Sequence, residues 1–212
     1  MIIYGASLSP FVRKIVAFAN EKGIEFEHKP VLPGSDDAEF RECSPFGKVP
    51  GLRDGDYCLG DSTAIAHYLE AKHPETPLIP AEPEARGRVM WFDEFNDTIF
   101  VPAEGTIFFN RVAAPLMGME PDEAAAVTAE TESLPPFLTY LEETLSDGRQ
   151  WLVGDGLTLA DLAIASSVKN LDYCGKDTDW NSYPNLRAFV DRITGRDSFA
   201  ALLAMDKAMV GG

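Results

Sequence analysis

Residues 47–72 read GKVPGLRDGDYCLGDSTAIAHYLEAK and hold two short segments that we interpret as strands, at 50–53 and 57–59. Between them lies Asp54-Gly55-Asp56, and an Asp-Gly pair between two such segments is a strong signal for a β-hairpin. The spacing of apolar residues then predicts a helix over 62–72. This stretch therefore predicts a β-β-α unit, in which a hairpin completes a sheet and a helix covers it.

The residues upstream of this unit supply the rest of a small mixed sheet. In chain order, the pattern predicts a strand at 1–4, a helix at 9–22, a strand at 24–31 and a helical turn at 38–43. Pro10 at the first helical position and Gly23 after the last turn fit the usual start and stop of a helix. The β-α-β-α-β-β-α order implies a crossover helix between the first two strands. Such a sheet is too small for a doubly wound nucleotide-binding fold.

A proline-rich segment divides the chain. Pro74, Pro77, Pro80 and Pro83 recur at three-residue intervals and favour extended structure over helix. We expect a boundary at about residue 78, with an α/β domain over 1–77 and a second domain over 84–212. Beyond the boundary, apolar residues recur only at helical spacing, which predicts an all-α domain with helices at 90–109, 120–145, 158–171, 186–193 and 199–209.

Charge and cysteine content exclude several classes of protein. The 212 residues include 34 acidic and 18 basic side chains, and the formal charge of −16 repels phosphate backbones and anionic lipid. Nucleic acid and membranes are therefore not expected partners. Cys43, Cys58 and Cys174 show neither CxxC nor zinc-like spacing, so we expect packing residues, no disulfide, no metal and a reducing compartment. No leader or membrane-spanning run is visible, which favours the cytoplasm.

Ser9 lies at the predicted turn from the first strand into the first helix. The unpaired N–H groups and partial positive charge of a helix N-terminus make such a turn a site for an anion. A serine at this position is also an ordinary N-cap. Ser9 by itself does not decide between the two interpretations.

Pro50 stands where a strand should be internal to the sheet, although proline cannot donate to a ladder. A cis Val49-Pro50 bond would turn Val49 outward, so that its N–H and C=O could pair with a peptide-like ligand as an added strand. A trans proline in a structural turn explains the same residues. Both interpretations stay open on this segment alone.

Asp61 and Ser62 begin the third predicted helix. Ser62 can present its hydroxyl and N–H to a carboxylate, while Asp61 can accept from an ammonium group. These two functions match the α-amino-acid end of a ligand, although either residue also suits a simple N-cap. Thr158 and Asp161, in contrast, form a capping-box pattern whose role is structural.

The order and spacing of these motifs resemble one family. Over essentially the whole chain, the sequence resembles the cytosolic glutathione S-transferases. The motifs that carry this resemblance are Ser-Pro-Phe at 9–11, Lys-Val-Pro at 48–50, Asp-Ser at 61–62, the proline-rich linker and Thr-x-x-Asp at 158–161. The resemblance implies a thioredoxin-like N-terminal domain that binds glutathione as co-substrate. It further implies an all-helical C-terminal domain that completes a pocket for a small hydrophobic electrophile, no metal, and a homodimer.

The resemblance also assigns roles to individual residues. Ser9 falls where serine-type members keep the hydroxyl that stabilises the glutathione thiolate. Asp61 and Ser62 match the pair that recognises the γ-glutamyl group, although Glu or Gln is commoner at the first position and Asp is one methylene shorter.

Three consecutive residues are assigned to the middle and the glycyl end of glutathione. Val49 matches the residue that pairs with the cysteinyl backbone, and Pro50 matches the cis-proline that follows it. Lys48 matches a contributor to the site for the glycyl carboxylate. We expect the thiolate to attack an electrophilic carbon or a peroxide oxygen, with no covalent intermediate on serine.

Rival functions differ in the residues that they need. An omega-like thiol transferase or dehydroascorbate reductase would carry cysteine in place of Ser9, and a zeta-like isomerase would carry Ser-Ser-Cys where this chain has Ser7-Leu8-Ser9, although Ser7 could share the activating role. A non-catalytic binding or regulatory protein with the same fold remains the alternative, because fold does not imply function.

Pocket and interface residues are harder to assign. Candidates for the electrophile pocket are Phe11, Phe108 and Phe109, with Met117 nearby, and all of them suit plain core as well. Residues 91–97 hold three aromatics in five positions, which predicts an exposed aromatic face at a two-fold interface. In such a dimer, the resemblance places Asp97 near the γ-glutamyl site of the neighbouring subunit.

Overall fold

A four-stranded mixed sheet forms in the N-terminal part of the computed structural model, which describes residues 1–175 and 178–211. The strands are β1 (Ile2–Tyr4), β2 (Glu27–Lys29), β3 (Gly51–Asp54) and β4 (Tyr57–Gly60), in the spatial order β2-β1-β3-β4. Strand β1 runs parallel to β2 and antiparallel to β3, with Tyr4 opposite Gly51, and β3 pairs antiparallel with β4. The predicted hairpin and crossover are confirmed.

Three helices belong to this sheet: α1 (Pro10–Glu21), α2 (Ala38–Cys43) and α3 (Ser62–Lys72). The strand predicted over 24–31 is shorter than expected, since only Glu27–Lys29 forms β2. Its partner β1 is three residues long and ends where Gly5 takes a φ of +136°. Pro30, directly after β2, has no N–H to continue the ladder.

Only helices and helical turns follow within the described residues. They are α4 (Pro83–Phe95), α5 (Val101–Phe108), α6 (Ala114–Leu116), α7 (Glu123–Thr128), α8 (Pro135–Leu145), α9 (Leu159–Val168), α10 (Pro184–Thr194) and α11 (Asp197–Val210). π-Helical turns at 96–100, 109–113 and 129–133 connect neighbouring helices, and 3₁₀ turns lie at 169–173 and 180–182.

The first of these helices begins earlier than predicted, at Pro83 and not at residue 90. Glu82 caps it, because its carboxylate accepts from the N–H groups of Glu84 and Ala85 at 3.0 and 2.7 Å. Pro83 at the first helical position loses no hydrogen bond there. The proline-rich linker therefore ends in a helix start, a capping arrangement that apolar periodicity does not reveal.

The two parts of the chain share one hydrophobic core. Helix α9 is buried along its whole length and packs against α1, whose residues 12–19 are buried as well. The predicted capping box at its start is confirmed, with Asp161 accepting from the N–H groups of Thr158 and Leu152 at 2.7 and 2.8 Å. The arrangement of a mixed-sheet domain followed by a helical domain is confirmed, and the boundary at about residue 78 stays a prediction.

The expectation for two of the cysteines is wrong. Cys43, the last residue of α2, and Cys58 of β4 form a disulfide, with Cα atoms 4.5 Å apart. Their separation of 15 residues in sequence gives no hint that α2 ends directly over β4. Cys174 is a free buried thiol, as expected. Because the expected reducing compartment rested partly on the absence of a disulfide, it loses that support.

Within the described residues, none of the helices combines the length and apolar character that crossing a membrane requires.

Candidate active site

Ser9 is the N-cap of α1. Its Oγ accepts from the N–H of Val12 at 3.5 Å, the long limit for a hydrogen bond, and its backbone is extended, with φ −70° and ψ 123°. Because the hydroxyl only accepts in this contact, its proton is free to donate to a ligand. Ser9 is half-buried and lines a cavity. The N-cap and the anion-binding interpretations are therefore compatible.

Gly5 lets this turn approach the loop that carries Val49. A Cβ at Gly5 would stand 2.4 Å from Val12 Cγ2 and 3.1 Å from Val49 Cβ, and the φ of +136° is itself rare for other residues. Any side chain at this position would push the end of β1 away from both neighbours. Glycine thus brings the Ser9 turn and Val49 to one place.

The Val49-Pro50 peptide bond is cis, one of the two conformations left open by the sequence. Neither the N–H nor the C=O of Val49 forms a hydrogen bond within residues 1–175 and 178–211. The loop is nevertheless fixed, because Ser44 Oγ donates to the Lys48 carbonyl at 2.6 Å. Val49 therefore presents an unpaired backbone edge of the kind that receives an extended peptide.

A mostly apolar cavity of about 550 Å³ opens beside Ser9 and Val49. Phe108, Phe109 and Met117, three of the candidates for the electrophile pocket, line it from the helical domain. Phe11 does not line it, and its ring instead lies 5.9 Å from Lys14 Nζ. The structure therefore does not bring Phe11 together with the other three candidates for the electrophile pocket. A residue two positions after Ser9 points to a different side of the helix.

Asp61 and Ser62 lie at the N-terminus of α3, outside the lining of that cavity. Asp61 Oδ1 caps the helix through the N–H of Ala64 at 3.0 Å, with a φ of +77°. Such a φ is uncommon for a residue other than glycine and often occurs at functional sites. Ser62 is 4% exposed, and its Oγ donates to Asp97 Oδ2 at 3.4 Å.

Lys14 of α1 holds two carboxylates next to this helix end. Its Nζ lies 2.7 Å from Asp93 Oδ1 and 3.1 Å from Asp97 Oδ2. Burial acts to lower the pKa of Lys14, but the attraction of the two carboxylates outweighs it and raises that pKa. Burial raises the pKa of Asp97, against the opposing effect of Lys14. One ammonium facing two carboxylates leaves excess negative charge beside Ser62.

Lys48 and Ser7 have contrasting surroundings. Lys48 is exposed, and its ammonium group has no partner within the described ranges. Ser7, which the sequence offers as a second candidate for the activating hydroxyl, is 1% exposed and donates to Asp206 Oδ1 at 2.6 Å. Its proton is therefore already engaged, whereas that of Ser9 is free.

Sequence reasoning missed the buried charges around this site. Arg13 and Lys14 are consecutive basic residues in a helix whose flanking positions are apolar, and both are fully buried. The position of two basic residues side by side between apolar positions was the sequence signal for a buried charge. Two neighbours in such a helix cannot both reach solvent. Their partners, Asp206 and Asp93, are 193 and 79 residues away, so no spacing rule identifies them.

Comparison with known protein families matches both parts of the chain. Residues 3–77 match "Glutathione S-transferase, N-terminal domain" and residues 108–206 match "Glutathione S-transferase, C-terminal domain". The first match contains the Ser9 turn, the cis-proline loop and the start of α3. The second contains Phe108, Phe109 and the buried helix α9.

Similar proteins cover nearly the full length. "Glutathione S-transferase 3" of Zea mays is 36% identical over 213 residues, covering 95% of this chain and 92% of that protein. "FtsZ-localized protein A" of Caulobacter vibrioides is 27% identical over 205 residues, covering 93% and 88%. The solved structure of "glutathione S-transferase-I bound with the ligand lactoylglutathione" has a TM-score of 0.83 at 27% identity, covering 96% and 98%. The chain therefore belongs to the glutathione S-transferase family.

Proposed function

We propose that this chain is a glutathione transferase, in which Ser9 stabilises the thiolate of glutathione for attack on a hydrophobic electrophile. One observation carries the proposal. Ser9, with a free hydroxyl proton, and Val49, with an unpaired backbone edge, lie on the same apolar cavity. The Val49 edge would hold the cysteinyl residue of glutathione as an added strand, and its thiol would then lie within reach of Ser9.

The thiol chemistry needs no general base. Glutathione's thiol should titrate near the ~8.5 of a free cysteine, so making it mostly thiolate at neutral pH requires about 2.7 kcal/mol. A charge-assisted hydrogen bond from Ser9 supplies ~1.5–3 kcal/mol, and the N-terminus of α1 adds ~0.3–1 kcal/mol. The two contributions together match the requirement.

We assign the γ-glutamyl end of glutathione to the start of α3. The excess negative charge of Asp97 and Asp93 over Lys14 favours the ligand's ammonium group, and the exposed oxygen of Asp61 adds to it. The N–H of Ser62 and the helix terminus suit the ligand's carboxylate. Lys48, which has no partner among the described residues, is assigned to the glycyl carboxylate.

The electrophile is assigned to the apolar wall formed by Phe108, Phe109 and Met117. Phe109 and Met117 are 41% and 51% exposed, so the wall continues to the molecular surface. Such a wall suits an uncharged hydrophobic molecule that lies against the thiolate. We propose a cytoplasmic location for this reaction because the cytoplasmic glutathione pool supplies the co-substrate, and the cysteines do not support this location.

We further propose a homodimer, which family membership and exposed apolar side chains support. Phe46 is 90% exposed and Tyr57 is 47% exposed. The aromatic face predicted for α4 is smaller than expected, because Phe92 and Phe95 are buried and only Trp91, at 43%, is exposed. Light scattering at micromolar concentration should give about twice the chain mass of 23.2 kDa, and a monomer mass would exclude the dimer.

We also assign Asp97 to the γ-glutamyl site of its own chain, because its carboxylate accepts from Ser62 Oγ at 3.4 Å. Its role in the proposed site therefore needs no second subunit. The ion pair of Lys14 with Asp97 holds the first turn after α4 against α1 and α3 within one chain. The expected approach of Asp97 to the γ-glutamyl site of a neighbouring subunit stays a prediction.

A panel of electrophiles at fixed glutathione tests the proposed function. It contains an aryl halide, an organic peroxide and an unsaturated carbonyl, and Ser9→Ala is assayed in parallel. We expect conjugation or peroxide reduction with at least one of them, and a fall of about 10- to 100-fold in the variant. Retention on a glutathione column with no turnover of any electrophile would instead establish the non-catalytic alternative.

A further inference from the structure

A second group of buried polar side chains lies directly behind the Ser9 turn. Asp206, on the C-terminal helix α11, accepts from Ser7 Oγ at 2.6 Å through Oδ1 and from Arg13 Nη2 at 2.7 Å through Oδ2. The Arg13 and Asp206 side chains are both fully buried. The helix that ends the described chain is thus tied to the residues on either side of Ser9.

The same group reaches the residue before Ser9 by a different route. Arg13 Nη1 donates to Asn170 Oδ1 at 2.9 Å, and Asn170 Nδ2 approaches the Leu8 carbonyl at 3.5 Å. Tyr173 adds a longer contact, from its hydroxyl to Asp206 Oδ2 at 3.3 Å. The turn is therefore held at the hydroxyl of Ser7 and at the carbonyl of Leu8.

Two further acidic side chains act on this cluster, Asp172 on Tyr173 and Glu104 of α5 on Arg13. Glu104 is fully buried, and burial raises its pKa to about 8, although Asn170 and Arg13 favour its ionised form. Burial therefore favours the neutral form of Glu104, and the buried ion pair of the cluster is Arg13 with Asp206. Asp206 accepts a hydrogen bond from Ser7 through one oxygen and from Arg13 through the other, so neither contact displaces the other.

Asp206 also belongs to the helix that closes one side of the cavity. Met209, three residues further along α11, lines the same cavity as Ser9. The position of α11 and the geometry of the Ser9 turn are consequently set by the same carboxylate. A shift of α11 is therefore transmitted to the Ser9 turn through the contacts of Asp206 with Ser7 and Arg13.

We propose that Asp206 is a positioning residue for thiol activation, which orients Ser9 by holding Ser7 and Arg13 on either side of it. The inference rests on the proposed function, because it assumes that Ser9 stabilises the thiolate. Asp206 does not touch glutathione in this account. It acts through the turn, and Ser7 is a tie to Asp206 and not a second activating hydroxyl.

The test is the pH titration of the glutathione thiol in the enzyme complex, followed by the ultraviolet absorbance of the thiolate. We expect Ser7→Ala and Asp206→Asn each to raise the thiol pKa, which reduces the thiolate fraction near neutral pH by about 3- to 10-fold. Glutathione affinity should change less than about twofold, since Val49 and Ser62 are untouched. Asp197→Asn, the same change at an exposed position of α11, is the matched control and should have no effect.

The double variant Ser7→Ala/Asp206→Asn separates the two possible roles of Ser7. If Ser7 acts only through Asp206, the double variant shifts the thiol pKa no further than the larger single shift. Additive shifts would show that Ser7 acts on the thiol directly, and they would overturn the proposal. An unchanged thiol pKa in both single variants would overturn it as well.

Two further variants keep the test decisive. Asp206→Asn leaves Arg13 without its counter-charge and could prevent folding. In that case Asn170→Ala is used, because it releases the Leu8 carbonyl while the Arg13–Asp206 pair stays intact. The same rise in the thiol pKa is expected.

Ser9→Ala separates the two proposals. A thiol pKa unaffected by Ser9→Ala contradicts the proposed function itself, whereas a shift in Ser9→Ala alone contradicts only the role of Asp206.

Discussion

The ammonium of Lys14 lies 2.7 Å from Asp93 Oδ1, and both side chains are 1% exposed. This buried pair joins α1, whose first residue follows Ser9, to α4, which is followed by the π-helical turn that carries Asp97. Thr63 at the start of α3 donates to the second oxygen of Asp93 at 2.7 Å. The helices that carry the proposed thiol site and the proposed γ-glutamyl site are therefore tied together by one lysine.

Replacing Lys14 should destabilise the fold strongly. Lys14→Met leaves Asp93 and Asp97 without their cation, and removing one partner of a buried ion pair typically costs about 3–5 kcal/mol. Chemical denaturation of the variant measures the loss in the free energy of unfolding. Lys207→Met, at an exposed position, is the control and should change stability by less than about 0.5 kcal/mol. A similarly small change for Lys14→Met would contradict this account of the pair.

Glutathione affinity should depend on Ser62 and, through pH, on Asp97. Ser62→Ala keeps the backbone N–H but removes the hydroxyl that donates to Asp97 Oδ2, so the carboxylate that faces the ligand's ammonium group loses this contact. Calorimetry should show affinity about 10-fold weaker, with the bound thiol pKa unchanged. Burial raises the pKa of Asp97, and only its ionised form accepts an ammonium group. Affinity should therefore fall as pH drops through that raised pKa.

Asp97→Asn provides the corresponding control, because it keeps the shape and removes the titration. Its glutathione affinity should be weaker at neutral pH and flatter on the acid side than that of the unmodified protein. An acid-side loss of affinity that is identical in both proteins would assign the titration to another group.

Phe108 and Phe11 provide a matched pair for the electrophile pocket. Phe108→Ala removes part of the cavity wall and should raise KM for a hydrophobic electrophile by about 10-fold or more, because the electrophile loses its apolar contact with the ring. Phe11→Ala alters a ring outside the cavity and should leave this KM within about twofold, whatever its cost in stability. Steady-state kinetics with varied electrophile measures both, and equal effects would return Phe11 to the pocket.

Glu104 should make stability depend on pH in an unusual direction. Its ordinary pKa is 4.5 and burial raises it to about 8, so the folded chain keeps a proton that the unfolded chain releases. Stability is therefore lost progressively as pH rises from about 4.5 to 8 and levels off above that range. Glu104→Gln should remove this loss.

The comparison is made by denaturation at several pH values. We expect Glu104→Gln to be more stable than the unmodified protein at pH 8 by a few kcal/mol and nearly equal to it at pH 4. Glu94→Gln, at an exposed position of α4, is the control and should shift neither value. A Glu104→Gln protein that is less stable at pH 8 would show that the ionised carboxylate contributes to the fold.

Local signals were sufficient for the architecture. Three predicted features depend on residues only a few positions apart, and the structure confirms each of them. They are the hairpin at Asp54-Gly55, the start of α1 at Ser9 and Pro10, and the capping box of Thr158 and Asp161. Interactions of this kind are decided by backbone geometry within one turn. The start of α4 was missed because Glu82 is not among the usual capping residues.

Contacts between distant residues could not be obtained from spacing. Three such contacts depend on how helices and strands pack against each other. They are the Arg13–Asp206 ion pair, the Lys14–Asp93 ion pair and the Cys43–Cys58 disulfide. Ser7 illustrates the point, since only the position of α11 shows that its hydroxyl is occupied by Asp206. The sequence therefore offered two candidate hydroxyls, and the structure distinguishes the free one from the engaged one.

The titration of the bound glutathione thiol in the unmodified protein and in Ser9→Ala tests the central claim most directly. The account predicts a thiol pKa about 2 units below that of free glutathione in the unmodified protein, returning by about 1–2 units towards the free value in Ser9→Ala. Glutathione affinity should be nearly the same in both, because the Val49 edge and the α3 terminus are intact. An equally low thiol pKa in Ser9→Ala would contradict the assignment of Ser9 as the group that stabilises the thiolate.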